Sequence, residues 1–275
     1  MGVESVMPLL PFEGCWKRIE RAHTHRITFA KLWDSFIKED MYTPSVYMYP
    51  DGAGSIRVSP IYNSLPDAFP LELGEMLYHL RAALDGSIYA AAVVETKQNP
   101  PPDEEHLEFP ICTDRRHFEK SGRKIAPLSD ELKAFIKSVQ PCYTPPLKEG
   151  EEVFNINRCL GILNDWARMD RHRQLHVIGS WASNISPMLR LPPGVTPRDI
   201  NVFEGGLLEH NNEIATFRLD GYVPGMKIEA NPNLSIDVTV HEVPAPCADN
   251  DTLGNRLIAM DVVVRAIIGK LEGTA

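Results

Sequence analysis

The residues best suited to chemistry are crowded into Asn164-Asp165-Trp166-Ala167-Arg168-Met169-Asp170-Arg171-His172-Arg173-Gln174-Leu175-His176, where three arginines, two histidines and two acids fall within thirteen positions. An imidazole titrates near neutrality and can take or give a proton, and a guanidinium offers a fixed fork of charged donors that matches phosphate oxygens. Together these groups suit cleavage of a phosphodiester. RNA carries its own nucleophile, the 2′-hydroxyl, so such a site need supply only proton transfer and stabilisation of the charge growing on phosphorus. His172 and His176 have the spacing of two metal ligands on one helix. They lack the glutamate of H-E-x-x-H, and Arg171 and Arg173 repel a cation, so the sequence predicts neither a metal nor another cofactor here.

Geometry sets a condition on this reading. On a helix His172 and His176 share a face, with Arg168 one turn before His172. Arg171 and His176 lie five positions apart, about 140° round an ideal helix, so they meet only where the helix bends, starts, or receives one group from a partner chain. Asp170 and Arg168 stand beside them. Arg81 and Asp85, four apart on another predicted helix, border its apolar stripe and are placed to reach towards the same segment, with Asp85 as an orienting partner. The competing reading of all these residues is a solvated helix face with local ion pairs, each worth little at a surface.

The elements that must position these groups follow from hydrophobic period. Trp16, Ile19, His23, Ile27, Ala30, Trp33 and Ile37 recur at helical steps over 13–39, which puts His23 on the apolar stripe as a buried histidine and turns His25 elsewhere. Two short alternating runs in 45–61 flank Pro50-Asp51-Gly52-Ala53-Gly54, the pattern of a β-hairpin. Leu73, Leu77, Leu80, Leu84, Ile88 and Ala91 restore helical spacing over 71–95, with Gly86 marking a close helix crossing. Ser129 opens a short helix that Pro141 closes, and 151–183 gives the longest helical pattern, out of phase near 168–173. Strand candidates follow at 200–203, 214–219, 226–229 and 235–242. Asp251 is placed to cap a last helix striped by Leu253, Leu257, Met260, Val264, Ile267, Ile268 and Leu271.

These elements predict an α+β fold: a predominantly helical bundle with an N-terminal β-hairpin and a small antiparallel β region before a C-terminal helix. Three parts are expected: 1–186 as bundle with hairpin, 187–248 as the β region, and 249–275 as a helix packing back on the bundle.

Composition narrows the function classes. With 28 basic and 37 acidic side chains, a net charge of −9 excludes a protein that grips nucleic acid by overall charge. A local positive field would have to come from Arg115, Arg116, His117, Lys120, Arg123 and Lys124. No apolar run reaches the ~20 residues of a membrane span, and 7–12 is too short and proline-broken for a signal segment, so a cytoplasmic protein with no membrane partner is expected. Five scattered cysteines without C-x-x-C spacing are expected as reduced, mostly buried thiols.

Arg171-His172-Arg173-Gln174-Leu175-His176 resembles the R-x4-6-H signature of HEPN domains, including a polar residue directly after the arginine. Its surroundings and Leu77-Tyr78-His79-Leu80-Arg81-Ala82-Ala83-Leu84-Asp85 look like a set of uncharacterised bacterial and phage proteins. The resemblance covers roughly 71–183. It implies an all-helical core that forms a homodimer and cleaves RNA without a metal, as in toxin and phage-defence systems, although other members are inactive. The roles implied are Arg171 on the scissile phosphate, His176 as general acid or base, and His172 positioning or sharing the proton. The alternative is a non-catalytic interaction or regulatory protein of bacterial or phage origin that binds a protein partner.

Overall fold

The computed structural model describes residues 11–37, 41–60, 65–144, 156–172, 175, 177–240 and 252–275. In chain order its main elements are α1 Glu13–Phe36, β1 Tyr42–Met48, β2 Ala53–Pro60, α2 Ala68–Thr96, α3 Arg115–Lys120, α4 Asp130–Ser138, α5 Ile156–His172, β3 Val177–Ser183, β4 Met188–Arg190, β5 Thr196–Val202, β6 Gly206–Leu207, β7 Asn212–Asp220, β8 Glu229–Asn231, β9 Ser235–Val240 and α6 Leu253–Thr274. The chain is α+β and divides into two units. The first gathers residues 1–30, 68–175 and 244–275; the second holds 31–67 and 176–243.

The helical unit is built around α2. Its alternation of Leu, Met and Ala leaves few polar positions, and Leu73, Met76, Leu77, Leu80, Ala83, Leu84 and Ile88 are fully buried. α6 and α5 pack on it and on each other, with Leu257, Val264, Ile268, Leu160 and Trp166 filling the space between. Each such side chain contributes about 1.5–3 kcal/mol by leaving water. Gly86 does mark a close crossing, since a Cβ there would stand 3.3 Å from the Cys15 sulfur of α1. Ser129 caps α4 through the Leu132 amide, and Thr252 caps α6 by accepting from the Asn255 amide at 3.2 Å; the expected cap Asp251 lies outside the described residues.

In the β unit, β1-β2-β7-β5 form an antiparallel sheet whose apolar positions, Ile56, Val58, Ile214, Ala215, Phe217 and Leu219, share one core with Ala182, Val195 and Leu208. The β1–β2 turn uses Gly52 at φ 83°, where its would-be Cβ position lies 2.7 Å from the Leu219 carbonyl oxygen. Two smaller pairings, β6-β3-β9 and β4-β8, complete the unit. Pro44 lies in edge strand β1, and edge strand β5 carries Pro197 and a bulge between Arg198 and Asn201, devices that discourage pairing with another chain.

Three expectations change. The hairpin does not belong with the helices in 1–186: β2 pairs with β7, which ties it to the later β region. The helix expected over 151–183 spans Ile156–His172 as described. Leu175 is not helical and Val177 opens a strand, because Val177 and Ile178 are β-branched residues that pair with Val240 and Thr239. His23 is half-exposed rather than buried, near Asp261 at 3.8 Å and accepting from Arg26 at 3.2 Å, while Ile19, Ala22 and Phe29 are buried.

Candidate functional site

Within the helical unit, the last turns of α5 and the first half of α2 enclose a cleft of about 320 Å³. Its apolar wall is Pro70, Leu71, Tyr78, Ala82 and Ala167, and its polar groups are Glu75, Arg81, Asp85, Asp170 and Arg171. That is the usual character of a ligand site, mostly apolar with a few convergent polar groups.

Asp170 is seated by the absence of a side chain opposite. A Cβ on the buried Gly74 would lie 2.5 Å from one Asp170 carboxylate oxygen and 2.8 Å from the other. Burial and the neighbouring Glu75 carboxylate push the Asp170 carboxyl above its usual range. A carboxyl so placed can hold or release a proton closer to neutrality than a solvated one.

Arg81 is a structural anchor. It is 8 % exposed, pairs with Asp85 at 2.7 Å and Glu108 at 2.9 Å, and donates to the Phe109 carbonyl at 2.8 Å. Asp85 in turn accepts from the Phe109 amide at 3.1 Å, so the pair fastens the 108–109 segment to α2. Burial raises the Asp85 carboxyl despite its arginine. Burial also raises Glu108, but Lys124, Arg81 and Arg171 outweigh it and hold that carboxyl below the usual range.

Arg171 stands exposed at the cleft rim. Its Nε donates to the Ala167 carbonyl at 3.3 Å, which leaves the Nη groups directed by no described hydrogen bond or ion pair, and its charge reaches Glu108. His172, the last residue of α5, is exposed and does not line the cleft; Arg168 is exposed and 4.0 Å from Asp165. Arg173 and His176 lie outside the described residues. Leu175 is off the helix, and the face expected to be shared by His172 and His176 falls outside the described residues.

Three of the six basic side chains of the 115–124 cluster have described partners. Asp114 caps α3; Arg115 donates to the Cys142 carbonyl at 3.2 Å and lies over Tyr143; Arg123 pairs with Asp103 at 3.4 Å and Lys124 with Glu108 at 2.8 Å. Among the described cysteines, Cys15 and Cys159 are buried, whereas Cys112 and Cys142 are half-buried; burial pushes the Cys15 thiol up to about 11.

Sequence reasoning missed one cluster in this unit. His25 of α1 meets Glu72, Glu75 and His79 of α2: His25 Nδ1 is 2.8 Å from Glu72 Oε2, His79 Nε2 is 4.0 Å from Glu75 Oε2, and the two rings stack with centroids 5.6 Å apart. Burial, then the adjacent His25, lowers the His79 pKa. The spacing Glu72-x2-Glu75-x3-His79 puts three of these groups on one helix face; the fourth comes from a residue 47 positions before Glu72.

Comparison of the chain with family models, curated proteins and solved structures finds no match. Among the described residues, no helix is long and apolar enough to cross a membrane.

Proposed function

We propose that the α2–α5 cleft binds a phosphate-bearing ligand and that the chain is a HEPN-like, metal-independent ribonuclease acting as a homodimer. The observation that carries this reading is the delivery of Asp170 and Arg171, consecutive on α5, to one cleft: a carboxyl with a raised pKa beside a guanidinium whose outer donors have no described partner. Arg171 would take the scissile phosphate and offset the charge developing on its oxygens. Asp170, with His172 and His176 on the segment just beyond, would move the proton of the 2′-hydroxyl and that of the leaving oxygen. Arg81 and Asp85 act by holding the wall of the site in place, and Arg168 adds positive charge nearby.

A second reading rests on a different observation. Leu71 and Tyr78 of the same wall are 60 % and 54 % exposed, and three carboxylates outnumber two guanidiniums, one already satisfied. That surface favours a protein partner presenting an apolar, basic segment.

Mixed-sequence RNA incubated with the full chain in excess chelator separates the two. The ribonuclease reading expects fragments ending in 2′,3′-cyclic phosphate, with Arg171→Ala slowing cleavage roughly 100-fold or more. Intact RNA, together with a stoichiometric protein partner whose binding is lost in Tyr78→Ala but kept in Arg171→Ala, would leave the second reading in its place.

A further inference from the structure

We infer that His25, Glu75 and His79 form a binding site for a divalent cation of the zinc class, with Glu72 orienting His25. Each of the three offers one ligand atom, and all of these lie within 4.8 Å of one another. Ligand atoms about 2.1 Å from zinc at tetrahedral angles stand roughly 3.4 Å apart, so the cluster needs to close by at most about 1.4 Å at its longest edge. Glu75, 58 % exposed, is free to supply that movement. His79 turns its Nε2 towards Glu75, and its buried Nδ1 has no hydrogen-bond partner among the described residues, so no protein bond competes for the ring. With its Nδ1 proton donated to Glu72, His25 keeps the Nε2 lone pair for a metal, the carboxylate–histidine–metal arrangement that fixes tautomer and ring orientation.

The donor set selects the ion. Two imidazoles and one carboxylate suit zinc, cobalt or nickel, whereas magnesium and calcium take oxygen ligands. Arg18 and Arg21 act electrostatically on His79 and oppose a cation, and the two glutamates offset them. His25 belongs to α1 and the other groups to α2, so the ion would clamp two helices of the same unit, with Glu75 shared between the clamp and the cleft. The inference does not rest on the phosphodiester chemistry proposed above, although Glu75 belongs to both sites, and binding alone reads it.

The test is titration of the full, chelator-stripped chain with cobalt(II) followed by visible absorption, then displacement by zinc. The inference expects one equivalent per chain with tetrahedral or five-coordinate d–d bands. His25→Ala, His79→Ala and Glu75→Gln should each weaken binding tenfold or more, Glu72→Gln about tenfold, and His117→Ala not at all, with magnesium failing to compete. Circular dichroism checks folding, and the exposed Glu75→Gln keeps the test independent of packing. Absence of saturable one-equivalent binding, or binding unchanged in the folded Glu75→Gln and His25→Ala/His79→Ala chains, would overturn it.

Discussion

The two units differ in what they bury. Of the seven buried polar or charged side chains among the described residues, six, Arg81, Ser87, Ser121, Gln140, Arg256 and Asp261, lie in the helical unit, and only Ser55 lies in the β unit. The β unit keeps its charges outside the core: Arg57 crosses to Glu213 at 3.2 Å in register, Arg198 pairs with Asp220 at 3.0 Å, and Arg218 with Asp51 at 3.4 Å. A polar group taken out of water costs free energy unless it is bonded, so a unit that retains several has a use for their fixed geometry. In the helical unit one of them, Arg81, lines the cleft; in the β unit, sheet pairing and an apolar core account for the fold.

The largest expected effect breaks the buried network. Arg81→Ala leaves the half-buried Asp85 without its cation and frees the Phe109 carbonyl, costing about 1.5–3 kcal/mol in urea unfolding. A loss under 1 kcal/mol would place Arg81 with the surface ion pairs of the β unit. Gly74→Ala comes next. Overpacking costs about 1–3 kcal/mol, helix propensity returns about 1, and the Asp170 carboxylate must leave its seat. Carboxyl titration by NMR should then find Asp170 closer to its ordinary pKa; an unchanged value would show that Gly74 does not seat it.

Asp170→Asn has a smaller effect with a defined pH dependence. The folded-state pKa of Asp170 is raised, so the folded chain binds its proton more tightly than the unfolded one. Its contribution to stability is greatest below the unfolded pKa and is lost as pH rises through the folded one. The asparagine variant should therefore gain stability at neutral pH, by less than about 1 kcal/mol because the group is partly exposed, and lose that gain on acidification. A gain that grows on acidification would contradict the sign. Smallest of all, Asp220→Ala removes an exposed pair and should cost roughly 0.2–1 kcal/mol, vanishing in high salt.

Local period made much of the fold legible. α1, α2, α4 and α6 and the first hairpin follow from apolar spacing, caps and the Pro-Asp-Gly turn. Where the chain goes next is a long-range matter. Nothing within 45–61 announces that β2 will pair with a strand more than 150 residues later, and Val177-Ile178 continue an apolar pattern that only the partner strand β9 makes extended. At the site, residue types pointed to Arg171, Asp170, Arg81 and Asp85, but roles depend on partners beyond helical reach. Glu108 and Phe109 turn Arg81 into an anchor, and Gly74 makes room for Asp170. The histidine cluster was hidden for the same reason, since His25 joins α2 only through packing of α1.

The most direct test of the central claim is to titrate a ribonucleoside 3′-monophosphate, a product-like ligand, into the ¹⁵N-labelled chain and follow backbone amide shifts. The account predicts saturable shifts at Gly74, Tyr78 and Ala167 around the cleft, with affinity falling at least tenfold in Arg171→Ala. Shifts confined to other surfaces, or full affinity without the Arg171 side chain, would contradict it.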